Sequence, residues 1–64
     1  MGVTLRINEV LKEKGLLQKE LAEKLGVSKV TVNYWCKNQS KPSLETLCEI
    51  ARILKVKLTY LIKE

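Results

Sequence analysis

An all-α fold of five short helices is what this chain predicts, and three observations lead there. Apolar residues recur at three-then-four spacing through most of its length, the signature of helices that bury one face. Glycines at Gly15 and Gly26 close two such runs, and serines at Ser28 and Ser43 open the next two. Alternation of the strand kind is missing throughout, as are internal repeats and low-complexity tracts.

The chain has 64 residues, 45% of them hydrophobic and 30% charged, enough for one compact domain over 1–64 and close to the lower limit for a core that needs no staples. Its apolar runs are far too short to span a bilayer, and the N-terminus lacks the basic, apolar and small-residue succession of a signal peptide. A cytoplasmic location without membrane contact is therefore expected.

Met1 to Thr4 is expected to be a loose tail. From Leu5 to Lys14 the residues Ile7, Val10 and Leu11 form a stripe with Arg6, Lys12 and Glu13 outside it, a first helix ended by Gly15. Leu16 and Leu17 connect it to a second, Gln18 to Leu25, in which Leu21, Ala22 and Leu25 face inward and Lys19, Glu20, Glu23 and Lys24 face out. Gly26 follows where a helix commonly ends in a left-handed backbone.

Val27 leads to Ser28, a good N-cap for a third helix. At about 100° per residue, Val32, Trp35 and Cys36 share its inner face while Val30, Tyr34 and Lys37 project from the opposite one, flanked by Thr31 and Asn33. That outer face offers a branched apolar group, a phenol, an amide and a hydroxyl where a solvated helix would carry Glu and Lys. The mixture suits contact with a partner.

The string from Cys36 to Ser43 is a loop, with Asn38 at a natural left-handed position and Pro42 barring a helix. Ser43 then caps a fourth helix whose inner side is read as Leu44, Leu47, Cys48, Ala51 and Leu54, with Glu45, Glu49 and Arg52 outside. Val56 and Leu58 lead into a last helical segment, Thr59 to Lys63, with Leu61 inward. Leu58, Tyr60 and Ile62 either close the core or face a second copy of the chain.

Lys and Arg exceed Asp and Glu by twelve to seven, a net charge of +5. Between Lys24 and Leu44 no acid occurs, although Lys24, Lys29, Lys37 and Lys41 all do. A solvated lysine face is one explanation; a polyanionic partner is the other, and the acid-free segment coincides with the unusual helix face. Two cysteines and no histidine cannot supply a four-ligand zinc site, so no metal is expected, and Cys36 and Cys48 are read as buried reduced thiols in preference to a disulfide. Lacking histidine, aspartate and a glycine-rich phosphate loop, the chain has no parts for acid–base or nucleophilic chemistry. Neither an enzyme nor a cofactor or small-molecule site is expected.

The chain resembles the phage Cro/repressor-type, or XRE-like, helix-turn-helix family. The residues that carry the likeness are Gln18, Leu21-Ala22, Gly26-Val27-Ser28, Val32, Trp35, Pro42-Ser43-Leu44, Ala51 and Leu54, so it runs from about Leu5 to Ile62. The resemblance implies a five-helix, lambda-repressor-like domain with the helix-turn-helix over about 18–36, its third helix in the major groove of double-stranded DNA and its second crossing above. Matched position by position, it implies base reading by Ser28, Lys29, Val30, Thr31, Asn33 and Tyr34. Phosphate contacts would fall to Gln18, Ser43 and the loop Lys37, Asn38, Gln39, Ser40 and Lys41.

Physical chemistry agrees with that assignment. The open N-termini of the second and fourth helices suit phosphate oxygens, while Lys29 can donate to guanine, Asn33 can pair with adenine and Val30 can touch a thymine methyl. One such domain reads about half of a two-fold operator, so a homodimer is expected, with Leu58, Tyr60 and Ile62 as its contact. A protein-interaction module, including an antitoxin-type partner, is the alternative; it would use Val30, Tyr34 and an exposed Trp35.

The chain also departs from the family's pattern. Leu11 and Cys36 stand where many members have a buried Arg–Glu pair, so an apolar contact is expected there. Asn38 replaces a glycine after the third helix. Leu17 replaces the usual Ser or Thr cap of the second, leaving Glu20 to supply half of the capping box.

Overall fold

Why the helices lie where they do is a matter of caps and buried stripes. In a computed structural model, which describes residues 4–63, four α-helices follow one another: α1 Ile7–Lys14, α2 Gln18–Leu25, α3 Lys29–Cys36 and α4 Leu44–Leu54. Ser28 Oγ accepts from the Thr31 N–H at 3.1 Å and Ser43 Oγ from the Thr46 N–H at 3.2 Å, so both serines cap as their positions predict. At Leu17 no side chain can accept, and the Glu20 carboxylate takes the Leu17 N–H at 2.9 Å, giving the expected half of the box. Gly26 ends α2 at φ +73°, where a side chain would be strained, and this sets the sharp change of direction into α3.

Ile7, Val10 and Leu11 from α1, Leu21 and Ala22 from α2, and Val32 and Trp35 from α3 meet in one core. Leu25 and Val27 pack at its edge. Cys36 is half-buried against the same core, close in sequence to Trp35, while Leu11 is buried; neither replacement for the family's ion pair is in solvent.

Three expectations need correction. The inner face of α4 is Leu47, Ile50, Ala51 and Leu54, whereas Leu44 and Cys48 are exposed. Leu47 sets the phase: Ile50, Ala51 and Leu54 follow it at three, four and seven residues, whereas Leu44, in the first turn, is 68% exposed. Cys48 is thus a surface thiol, and both cysteines are free.

In place of a fifth α-helix, Leu58–Leu61 makes a single 3₁₀ turn that no side chain caps, Lys57 occupying the cap position. Leu61 is fully buried there, as its spacing predicts.

Finally, the chain does contain strands. Thr4–Leu5 (β1) pairs antiparallel with Ile62–Lys63 (β2), Thr4 opposite Lys63 and Leu5 opposite Ile62. Of the segment read as a loose tail, Thr4 therefore belongs to β1 and the rest lies outside the described residues. Strands of two residues cannot display a period, so no alternation announces them. The Arg6 N–H continues the pairing to the Leu61 carbonyl at 2.8 Å.

The end of the chain is tied down a second time. Tyr60 donates its hydroxyl to Glu13 Oε1 at 2.8 Å, and the Arg6 guanidinium lies 4.8 Å from the Tyr60 ring centre, a cation–π arrangement. Leu58 and Ile62 are half-buried against the core, while Tyr60 stays partly exposed.

Candidate nucleic-acid interface

With Val32 and Trp35 held inward, α3 has no choice about what it presents outward. Trp35 is only 6% exposed, while Val30 and Tyr34, on the far side of the helix, are 61% and 48% exposed. Ser28 and Lys29 stand exposed at its first turn. Two large apolar side chains in water without a packing partner are an unsatisfied surface, and here they share a face with an amide, a hydroxyl and a cation.

Thr31 is half-buried, and its hydroxyl lies 2.9 Å from that of Ser28. The two residues therefore work first as the cap of α3. Asn33 is half-buried too and donates its amide N–H to Gln18 Oε1 at 3.2 Å. That bond joins the first residue of α2 to the middle of α3. It leaves Asn33 with Oδ1 and one N–H, and Gln18 with its whole amino group, for anything approaching this face.

After α3 the loop Lys37 to Lys41 is exposed at every position. Asn38 has the predicted left-handed backbone, φ +58°, but its side chain points back into the protein, accepting from the Leu5 N–H at 2.8 Å and donating to the Leu5 carbonyl at 3.1 Å. The Gln39 N–H closes onto the Tyr34 carbonyl at 3.0 Å. Lys37, Gln39, Ser40 and Lys41 keep their side chains outside. Ser43 is likewise engaged, its hydroxyl accepting from the Thr46 N–H and donating to Thr46 Oγ1 at 3.0 Å.

Charge runs the same way. Among the described residues the one ion pair is Arg6 with Glu9, at 3.5 Å, so Lys24, Lys29, Lys37 and Lys41 make no contact ion pair there. No described group of three His, Cys, Asp or Glu residues is placed to hold a metal ion. Burial pushes the Cys36 thiol up from its ordinary pKa, which disfavours the thiolate. No described helix is long and apolar enough to cross a membrane.

Two features of this face were not anticipated from sequence. One is the Gln18–Asn33 bond, for which the signal available was a pair of amides at one helix start and one outer helix face. The other is the attachment of the Asn38 amide to the backbone of Leu5, for which the sequence offered only a position suited to a left-handed backbone.

A family model described as helix-turn-helix matches residues 7–61. An uncharacterized HTH-type transcriptional regulator of Archaeoglobus fulgidus is 36% identical over 53 residues, which span 83% of this chain and 76% of the relative. Among solved structures, a candidate DNA-binding protein from Bacteroides fragilis superposes with a TM-score of 0.95 at 40% identity, over 97% of this chain and 100% of that one. SinR, the master regulator for biofilm formation, solved in complex with DNA, superposes with a TM-score of 0.75 at 36% identity, over 84% of this chain and 87% of that one.

Proposed function

The chain belongs to the helix-turn-helix family of XRE type, and from that premise we infer that it binds double-stranded DNA sequence-specifically as a transcriptional regulator. The observation that carries the reading is the outer face of α3, where Val30 and Tyr34 stand exposed beside Lys29 and Asn33 while Trp35 is buried. In our proposal α3 lies in the major groove and α2 crosses above it.

Lys29, Val30, Asn33 and Tyr34 read base edges, with Ser28 and Thr31 at the entering end. Lys37, Gln39, Ser40 and Lys41 follow the sugar–phosphate backbone, and the free amino group of Gln18 donates to a phosphate. The action is non-covalent: phosphate neutralisation supplies salt-dependent affinity and the helix supplies preference. This family type is a DNA-binding regulator and not an enzyme class. A cytoplasmic place of action fits a reader of DNA.

Trp35 also weighs against the protein-interaction reading, because the anchor that reading needs is inside the core. Two copies acting together is the further part of the proposal. Successive major-groove faces lie about 34 Å apart on one side of a duplex, which is the spacing that two recognition helices would take in this proposal. Leu58, Tyr60 and Ile62 are the proposed contact.

Selection of bound duplexes from a random pool, followed by titration of the enriched sequence against salt, tests both parts. A two-fold symmetric consensus is expected, with log K falling against log salt at a slope of about −3 to −5 per protomer. No enrichment at low salt, or amide shifts on titration that map away from Ser28 to Lys41, would sink the reading.

A further inference from the structure

We propose that Asn38 is a positioning residue that touches no DNA, its amide holding the loop after α3 against β1 so that Lys37 and Lys41 are set for backbone phosphates. This rests on the DNA-binding reading above. The geometry is a two-point attachment: Asn38 Oδ1 takes the Leu5 N–H at 2.8 Å and Asn38 Nδ2 gives to the Leu5 carbonyl at 3.1 Å. A side-chain amide thereby does for the outer edge of β1 what a neighbouring strand would do, while β2 occupies the inner edge. The backbone N–H of Asn38 is engaged as well, with the Trp35 carbonyl at 3.1 Å.

The consequence for the loop follows from its sequence and conformation. Asn38 adopts φ +58°, which asparagine tolerates better than most residues, so its side chain can fold back while the chain turns away from α3. Its neighbours Lys37 and Gln39 are exposed, and neither Lys37 nor Lys41 has an ion pair among the described residues. A loop of exposed lysines loses conformational freedom when it lies along a backbone, and a loop already fixed loses less. Glycine at this position would give the turn without the attachment. Asparagine gives both.

Two perturbations remove the attachment from opposite ends. Asn38→Gly keeps the left-handed backbone and deletes the amide. An ester in place of the Leu5 peptide N–H, accessible by chemical synthesis, deletes the donor that Asn38 Oδ1 accepts and leaves the loop side chains unaltered. Binding of the selected duplex is measured for each at a temperature where melting curves show the variant folded; should Asn38→Gly not fold, the ester carries the test.

Both are expected to weaken binding by about three- to tenfold, the range of one or two hydrogen bonds, equally for matched and mismatched duplexes. Combined, they should bind no more weakly than Asn38→Gly alone, which already removes both bonds, and the salt slope should become shallower because lysines leave the backbone. Wild-type affinity in Asn38→Gly overturns the proposal. So does a silent ester beside a weakened Asn38→Gly, which would mean direct contact with DNA, and so does weakening at an unchanged salt slope. If the unaltered protein binds no duplex, it is the DNA-binding reading that fails.

Discussion

Asn33 and Gln18 are joined by a hydrogen bond of 3.2 Å across the two arms of the helix-turn-helix, so in the proposed complex the side chain that reads a base is oriented by the residue that touches the backbone. Asparagine recognises adenine by donating to one ring nitrogen and accepting from the exocyclic amine, which requires its amide to face one way only. With Asn33 donating to Gln18 Oε1, its Oδ1 and second N–H are left for that pair.

Gln18→Ala should therefore do more than remove a phosphate contact. Discrimination at the base pair that Asn33 reads should fall, as it does for Asn33→Ala, by about 1–3 kcal/mol. The double variant should be less harmful than the sum, with a coupling of about 0.5 kcal/mol or more. Anisotropy titrations against duplexes substituted at each position measure all three; strict additivity would separate the residues.

Lys37→Ala and Lys41→Ala should weaken every duplex alike and reduce the salt slope by about one each, since in the proposed complex each makes one phosphate contact and no base contact. Val30→Ala should do the reverse, changing which duplex is preferred at an unchanged slope. Competition between matched and mismatched duplexes over a range of salt distinguishes the two behaviours.

The inner face of α4 can be read from stability alone. Ile50→Ala should cost about 2–5 kcal/mol of folding free energy because Ile50 is fully buried, whereas Leu44→Ala, at 68% exposure, should change it by about 0.5 kcal/mol or less. Urea denaturation of the two variants is the check, and equal losses would contradict the phase of the helix.

Thiol labelling should resolve the two cysteines. Cys48 is exposed, while Cys36 is half-buried with its pKa raised by burial, so iodoacetamide at mildly alkaline pH should label Cys48 first. Mass spectrometry of peptides taken at intervals gives the order.

The Tyr60 hydroxyl bonded to Glu13 holds the phenol's pKa above its usual 10.0, with desolvation and the Glu13 charge acting in the same direction and Arg6 opposing. A raised folded-state pKa means that this contribution to stability is complete below the unfolded value and is lost as pH rises through the folded one. Wild-type melting temperature should thus fall more steeply than that of Tyr60→Phe above pH 10.0, the difference between the two curves cancelling lysine titration common to both.

Much of this was legible in the residues. Gly15, Gly26, Ser28 and Ser43 set helix ends because their preferences are local, and Trp35 could be placed inward because its spacing from Val32 leaves little freedom. Ile50 was missed and Leu44 and Cys48 misplaced because a stripe shifted by one or two residues still satisfies three-four spacing, and only tertiary packing selects the phase. The bonds from Asn38 to Leu5 and from Asn33 to Gln18 were illegible for a different reason. Each joins residues distant in sequence through side-chain amides, whose partners no local pattern announces.

The pairing of Thr4 with Lys63 closes a loop containing nearly the whole chain, and loop-closure entropy must be met before so few hydrogen bonds can form. Among the described residues those contacts are the most distant in sequence, while the packing of α2 on α3 is among the nearest. Folding should therefore begin in the helical centre and fasten its two strands last. On the return path the strands should part first, and amides at Leu5 and Arg6 should exchange with solvent through openings that leave the helices intact.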